Sequence, residues 1–107
     1  MSEKELYPKT IAIIAYLHLI GAIIALFMNL ENKNSFASFH IRQGLGLSLT
    51  QILCGYFIGY FNSFMITFSF WIFVSILWFY GFWHAINNQM KPIPLLGNYF
   101  QKIFNKV

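Results

Sequence analysis

Charge is what this chain has least of. Among 107 residues there are seven Lys or Arg and three Asp or Glu, 9% charged in all, where soluble domains carry roughly 25%. Ten charged side chains cannot clothe a globular surface, so a water-soluble fold is excluded and the bilayer is implied as the solvent. The single cysteine, Cys54, rules out an intramolecular disulfide and a cysteine metal cluster. No Gly-rich phosphate loop is present (Gly44-x-Gly46 is no nucleotide fingerprint), and no nucleophile has an evident base. All three acids, Glu3, Glu5 and Glu31, lie outside the apolar runs. Enzymatic activity is therefore not expected. The net charge of +4 forms no basic stripe on a water-exposed face, so nucleic acid is not an expected partner. Juxtamembrane Lys and Arg attracted to anionic lipid are the expected use of that charge.

What the chain does have is apolar length: 58% of its residues are hydrophobic and 21% aromatic. Thr10–Leu30 is uncharged over 21 residues, and a hydrocarbon core of ~30 Å takes about 20 residues at 1.5 Å each. No small-x-small cleavage site follows, so this run reads as a retained helix rather than a signal peptide. From Gln43 to Met90 no charged side chain occurs for 48 residues. As one helix that run would be ~72 Å long, so it must fold back. Gly59-Tyr60-Phe61-Asn62-Ser63 supplies the turn and cap chemistry. The expected spans are thus 10–30, 44–61 and 64–86.

Pro8 suits a first helical turn, and Asn34 or Ser35 can cap the helix after the polar turn that begins at Glu31. Pro92, Pro94 and Gly97 mark a C-terminal turn that a helix cannot simply cross. Beyond it, 95–106 places Leu95, Leu96, Tyr99, Phe100, Ile103 and Phe104 on one half of a helical wheel, the pattern of a helix lying in the interface. A frayed tail is the alternative. The expected architecture is a single all-α membrane domain over 1–107, with three transmembrane helices plus a C-terminal interfacial amphipathic helix. Its partner is the lipid bilayer, with membrane-protein partners or further copies of itself as the proteins to look for. Lys33, Arg42, Lys91, Lys102 and Lys106 then share one face against Lys4 and Lys9 on the other. The positive-inside rule places the N-terminus outside and the C-terminus in the cytoplasm.

The small and polar residues of the second span fall in register. At about 100° per residue, Gly44, Ser48, Gln51, Gly55 and Gly59 lie in one stripe, and Ala15, His18, Ala22, Ala25 and Asn29 form a matching face on the first span. Small residues let helices approach closely in lipid, so the two faces are expected to pack antiparallel. His18 and Gln51 then meet at similar depth as an intramembrane polar pair, either for packing or, since intramembrane ionisable groups are functional candidates, as a proton or ligand site. His40 and His84 have no Asp, Glu or Cys nearby to complete a shell, so no metal or cofactor is expected. The aromatic residues of the third span read as packing, lipid contact and an interfacial belt.

Phe36-Ala37-Ser38-Phe39-His40-Ile41-Arg42-Gln43-Gly44 is the only dense polar cluster between the apolar runs. It resembles the F-x-x-F-H-x-R-Q-A/G signature of small bacterial membrane proteins. These form a domain-of-unknown-function family related to the membrane subunit of the chloroplast inner-envelope protein-import (Tic) translocon. Met90-Lys91-Pro92-Ile93-Pro94-Leu95-Leu96-Gly97 is similar to the Pro-x-Pro-Leu-Ile-Gly ending of some branches. The resemblance implies a compact helical protein of the bacterial inner (cytoplasmic) membrane, oligomeric or part of a larger assembly, with no catalytic residues carried over. The chloroplast relative has four spans where three are read here. In this frame Phe39, His40, Arg42, Gln43 and Gly44 form a helix entrance, with His40 and Gln43 fixing it and Arg42 facing headgroups or a partner's acid. The function expected is a small structural or interaction subunit of a translocation or assembly complex. The alternative is an oligomeric pore or small-solute transporter lined by the stripe of the second span.

Overall fold

The structure, a computed structural model, describes residues 3–31 and 33–107. All its regular elements are helical: α1 (Glu3–Ile14), α2 (His18–Met28), α3 (Ser35–Ile58), α4 (Phe64–Ile86) and α5 (Gly97–Ile103), with a 3-10 turn at Gly59–Phe61 after α3. α3 and α4 form a long hairpin and set the 49 Å extent of the molecule. Its tight end is built as Asn and Ser dictate. Asn62 takes the left-handed conformation at φ 45°, which Asn tolerates better than most residues, and the Ser63 side chain accepts the Ile66 N–H at 3.4 Å to cap α4. At the other end Asn34 caps α3 by accepting the Ala37 N–H at 3.0 Å. Asn29 anchors that turn, receiving the Asn34 N–H and donating to Ser38 Oγ.

The main departure from the sequence reading is in the first apolar run. Among the described residues two helices, Ser35–Phe61 and Phe64–Ile86, are long and apolar enough to cross a membrane, not three. The run 10–30 is broken between Ile14 and His18, leaving α2 with 11 residues, about 16 Å of helix. Neither Pro nor Gly marks the break. Its last turn tightens, with Tyr16 N–H on Ile13 O and Leu17 N–H on Ile14 O, and His18 sits at φ 71°, a conformation that costs a non-glycine residue of order 1–2 kcal/mol. Tertiary contacts hold the chain there. The Trp78 indole N–H donates to Tyr16 O at 2.6 Å. Ala15 O lies so close to Gly44 that a Cβ there would meet it at 2.1 Å.

Both short helices pack on one half of the hairpin, called here the upper half. Ile11 shares a core cluster with Ala15, Ala22, Ala25, Ala37, Ile41 and Leu45, and Ala12 shares one with Leu47, Leu77, Ala85, Ile93 and Phe100. α3 is buried almost continuously from Ala37 to Ser48 and turns outward beyond. The lower half, toward Asn62, carries no third helix, so its apolar side chains are exposed.

Three further boundaries differ. α1 starts at Glu3, so Pro8 lies inside it rather than in its first turn. The second apolar helix begins at Ser35 rather than near residue 44, because Asn34 caps it and its first turns are buried. The C-terminal helix covers seven residues, Gly97–Ile103, instead of 95–106. Its Phe100 ring is buried against Gly46, where a Cβ would meet it at 2.3 Å. α5 is therefore docked on α3 through Phe100, while Leu95, Tyr99 and Ile103 remain exposed.

Candidate functional site

The buried polar residues gather at one level of the upper half, around the turn of α3 that carries His40, Arg42 and Gln43. Three residues apart on a helix, His40 and Gln43 share a face, and both have no exposed surface. That face meets Tyr16, displaced inward by the break between α1 and α2. Tyr16 Oη lies 2.6 Å from His40 Nδ1, and Gln43 Nε2 donates to Tyr16 Oη at 2.8 Å. His40 Nε2 lies 2.8 Å from Gln89 O, and the Ile93 N–H donates to Gln43 Oε1 at 2.7 Å.

The chemistry of the partners fixes the proton arrangement. A backbone carbonyl can only accept, so His40 carries its proton on Nε2 and gives it to Gln89 O. Nδ1 is then the acceptor, and the Tyr16 hydroxyl donates to it while accepting from Gln43. Every group in the chain of bonds is matched, and among the described residues no buried side-chain nitrogen or oxygen lacks a partner. Phe36 and Phe39 stand edge-on to the imidazole, with ring centroids 4.8 and 5.1 Å away. This apolar wall makes the bonds stronger and the loss of any one of them more costly.

Arg42 leaves the helix on another side and directs three N–H groups at α5 and the chain after it, contacts that the sequence reading did not anticipate. Its Nε donates to Phe104 O at 3.2 Å, one terminal nitrogen to Gln101 Oε1 at 3.1 Å and the other to Asn105 O at 3.2 Å. The guanidinium thus caps the carbonyl end of α5, where a cation is favoured by the helix dipole as well. Gln101 completes the clasp by donating to Phe39 O at 2.9 Å.

The remaining sequence-selected residues divide by depth. His18 Nε2 lies 2.8 Å from Gln51 Oε1, and its ring stacks on Trp78 at 15° with centroids 5.7 Å apart. Gly44 and Ser48 are buried beneath the α1–α2 pair, Ser48 donating back to Gly44 O at 2.7 Å. Gly55 instead faces Phe70 on α4, and Gly59 has open space around it. The stripe is therefore shared out among different neighbours, and the first apolar run covers only its upper part. Pro92 packs under Gly97, where a Cβ would fall 2.8 Å from it, while Pro94 is exposed. His84 is buried, its Nδ1 at 2.7 Å from Tyr80 O and its ring 4.3 Å from the Tyr80 ring between centroids.

Tyr16, Gln89 and Gln101 are the participants that sequence reasoning missed. A signal existed for Tyr16: a phenol inside an apolar run needs a hydrogen-bond partner when buried. Nothing comparable marks Gln89, which contributes only its backbone. The cluster holds no carboxylate and no thiol, and among the described residues no three His, Cys, Asp or Glu side chains converge as a metal site would need. Its chemistry is that of a clamp joining the α1–α2 break, α3, the α4–α5 connection and α5. Comparison with known proteins finds no matching family, no matching curated protein and no matching solved structure.

Proposed function

We propose that this is an integral membrane protein of the cytoplasmic membrane whose α3–α4 hairpin crosses the bilayer, and that it serves as a small structural or interaction subunit of a membrane assembly. One observation carries the membrane reading. In the most apolar 18-residue windows of α3 and α4 only 28% and 17% of residues are buried, whereas the core helix of a soluble protein would be mostly covered. Phe57, Phe61, Phe64, Met65, Phe68 and Phe79 are all more than half exposed, an outward apolar surface far beyond what water tolerates. From Arg42 to Tyr60 the rise is about 27 Å, close to the hydrocarbon thickness. Tyr56 and Tyr60, joined through their hydroxyls, stand where an interfacial belt belongs.

The broken first run alters the topology proposed from charge alone. α1 and α2 lie beside the upper half of the hairpin, so the chain dips to the level of Gln51 and returns. Lys9 then joins Lys33, Arg42, Lys91, Lys102 and Lys106 at one face, leaving six cations of the described side chains there against none at the Asn62 end. By the positive-inside rule that face, with both terminal segments, is cytoplasmic. Single cysteines at Lys9→Cys, Asn62→Cys and Asn105→Cys in a Cys54→Ser background test this with an impermeant thiol reagent. The first and third should label from the cytoplasmic side and the second from outside; Lys9→Cys labelling with Asn62→Cys sinks the proposed topology.

The subunit role rests on the likeness of segment 36–44 to the Tic-related signature. Gly44 and Ser48 are covered within one protomer, which counts against a pore along the upper part of the stripe, whereas Gly59 has open space around it. Detergent co-purification at native expression level should return a fixed, stoichiometric set of membrane proteins; a lone monomer would remove the subunit reading.

A further inference from the structure

At the upper end a pocket of about 590 Å³ opens between the start of α3 and the chain after α5. Its wall includes Lys33, Ser35, Ser38, Arg42, Asn105, Lys106 and Val107; among the described residues no Asp or Glu side chain lines it, and the Ser38 hydroxyl is spent on Val107 O at 3.3 Å. We propose that it binds the phosphate group of an anionic lipid headgroup. The proposal rests on the membrane reading above, because the pocket lies at the face where that reading puts the headgroups.

The donor inventory supports the assignment. Arg42 spends three of its five N–H donors on Gln101, Phe104 and Asn105, leaving two. Lys33 gives one hydrogen bond to Lys106 O and keeps two donors. Among the described residues the Lys106 ammonium and the Ser35 hydroxyl have no hydrogen-bond partner. A phosphate brings several acceptor oxygens and negative charge, matching a wall of three cations with spare donors. Asn34 and Ser35 also place the pocket at the N-terminus of the 24-residue α3, where the helix adds positive potential. A zwitterionic headgroup brings its own cation and matches the wall less well. Free inorganic phosphate offers the same chemistry from another source.

The test compares lipid retention by the full chain in detergent micelles doped with phosphatidylglycerol, phosphatidic acid or phosphatidylcholine, read by native mass spectrometry. Arg42 also holds α5, so the informative variant is Lys33→Gln/Lys106→Gln, whose side chains are exposed. Each lysine in direct reach of the bound headgroup phosphate is worth roughly fivefold in binding, so the pair should lower retention of both anionic lipids about thirtyfold. Lys91→Gln/Lys102→Gln changes the net charge equally without touching the pocket wall and should leave retention within about twofold. Retention that resists millimolar inorganic phosphate identifies the lipid as the source; displacement at that concentration overturns the lipid assignment in favour of free phosphate. Equal retention of phosphatidylcholine, or equal losses in the two double variants, also overturns the proposal. Alkaline carbonate extraction separates the two failures. A chain that stays in the membrane pellet but shows no anionic preference loses only the pocket, whereas a chain released to the supernatant loses the membrane reading.

Discussion

Gln43→Leu is the most demanding test of the clamp, because leucine matches the side chain in bulk and removes only its hydrogen bonds. Two bonds are lost: the Ile93 N–H on Oε1 at 2.7 Å and the donation to Tyr16 Oη at 2.8 Å. The position is fully buried, so no water replaces them. The stranded Ile93 N–H costs about 1–3 kcal/mol, and the bond lost by Tyr16, whose hydroxyl still donates to His40, about 0.5–1.5 kcal/mol. A destabilisation of about 2–4 kcal/mol is expected. Equilibrium unfolding in mixed micelles with rising SDS fraction, followed by circular dichroism, measures it. Gln51→Leu is the internal comparison. Its partner His18 is exposed, and interhelical polar pairs of that kind average about 0.6 kcal/mol in membranes. Tyr16→Phe closes a double-mutant cycle with Gln43→Leu, and since the two share a bond, the double variant should cost about 1 kcal/mol less than the summed singles. Gln43→Leu unfolding within about 0.5 kcal/mol of the parent, or a strictly additive cycle, would refute the clamp.

Glycine substitutions should separate the two halves of the stripe. Gly44→Ala drives a Cβ to 2.1 Å from Ala15 O, a backbone atom that cannot swing away, whereas Gly59→Ala meets nothing within 4 Å; the first should lower stability by more than about 2 kcal/mol and the second by less than about 0.5 kcal/mol, both read by the same unfolding assay. Arg42→Lys keeps the charge but cannot reproduce three directed N–H bonds, so hydrogen exchange across 97–107 should quicken while α4 amides stay protected; unchanged exchange there would mean the clasp contributes nothing. Asn34→Ala removes the cap on α3 and should cost about 1 kcal/mol, seen as a shifted unfolding midpoint.

Local chemistry was legible where a residue acts on its own neighbourhood. α4 occupies 64–86, the residues read from the apolar run and from Asn62 and Ser63, and Asn34 caps α3 as its side chain allows. The break at Ala15–Leu17 was not legible. Those residues contain no helix breaker, and hydropathy counts apolar length without registering that Trp78, Gly44 and His40 on other elements each hold a piece of the turn. The hold of Arg42 on α5 was missed for a related reason. Helical register put it on a different side from His40, and an outward arginine was assigned to headgroups or a partner. That side is occupied by α5, whose docking depends on Phe100 finding Gly46 more than fifty residues earlier, a pairing that periodicity within one helix cannot reveal. His18 and Gln51, by contrast, could be matched by depth alone, because both are rare polar groups in apolar surroundings.

The segment from His40 to Gln43 does two separate jobs within one turn of α3, and their separation follows from helix geometry. His40 and Gln43, three residues apart, look inward at Tyr16 and the α4–α5 connection. Arg42, two residues from His40, lies about 200° around the axis and reaches the end of α5. One turn therefore ties together pieces of chain from both ends of the sequence, which is why a short polar cluster is placed in a long apolar helix at all. It also divides the molecule. Down to the level of Gln51 all five described helices pack together and directed bonds cross-link them; below it α3 and α4 have only each other and an outward aromatic surface. On the membrane reading proposed above, a partner within the bilayer would meet that lower surface, while the upper clamp fixes how α3 and α4 sit against the short helices. Variants that weaken the clamp should consequently disturb any assembly through the angle of the hairpin, with no change in the residues that touch the partner.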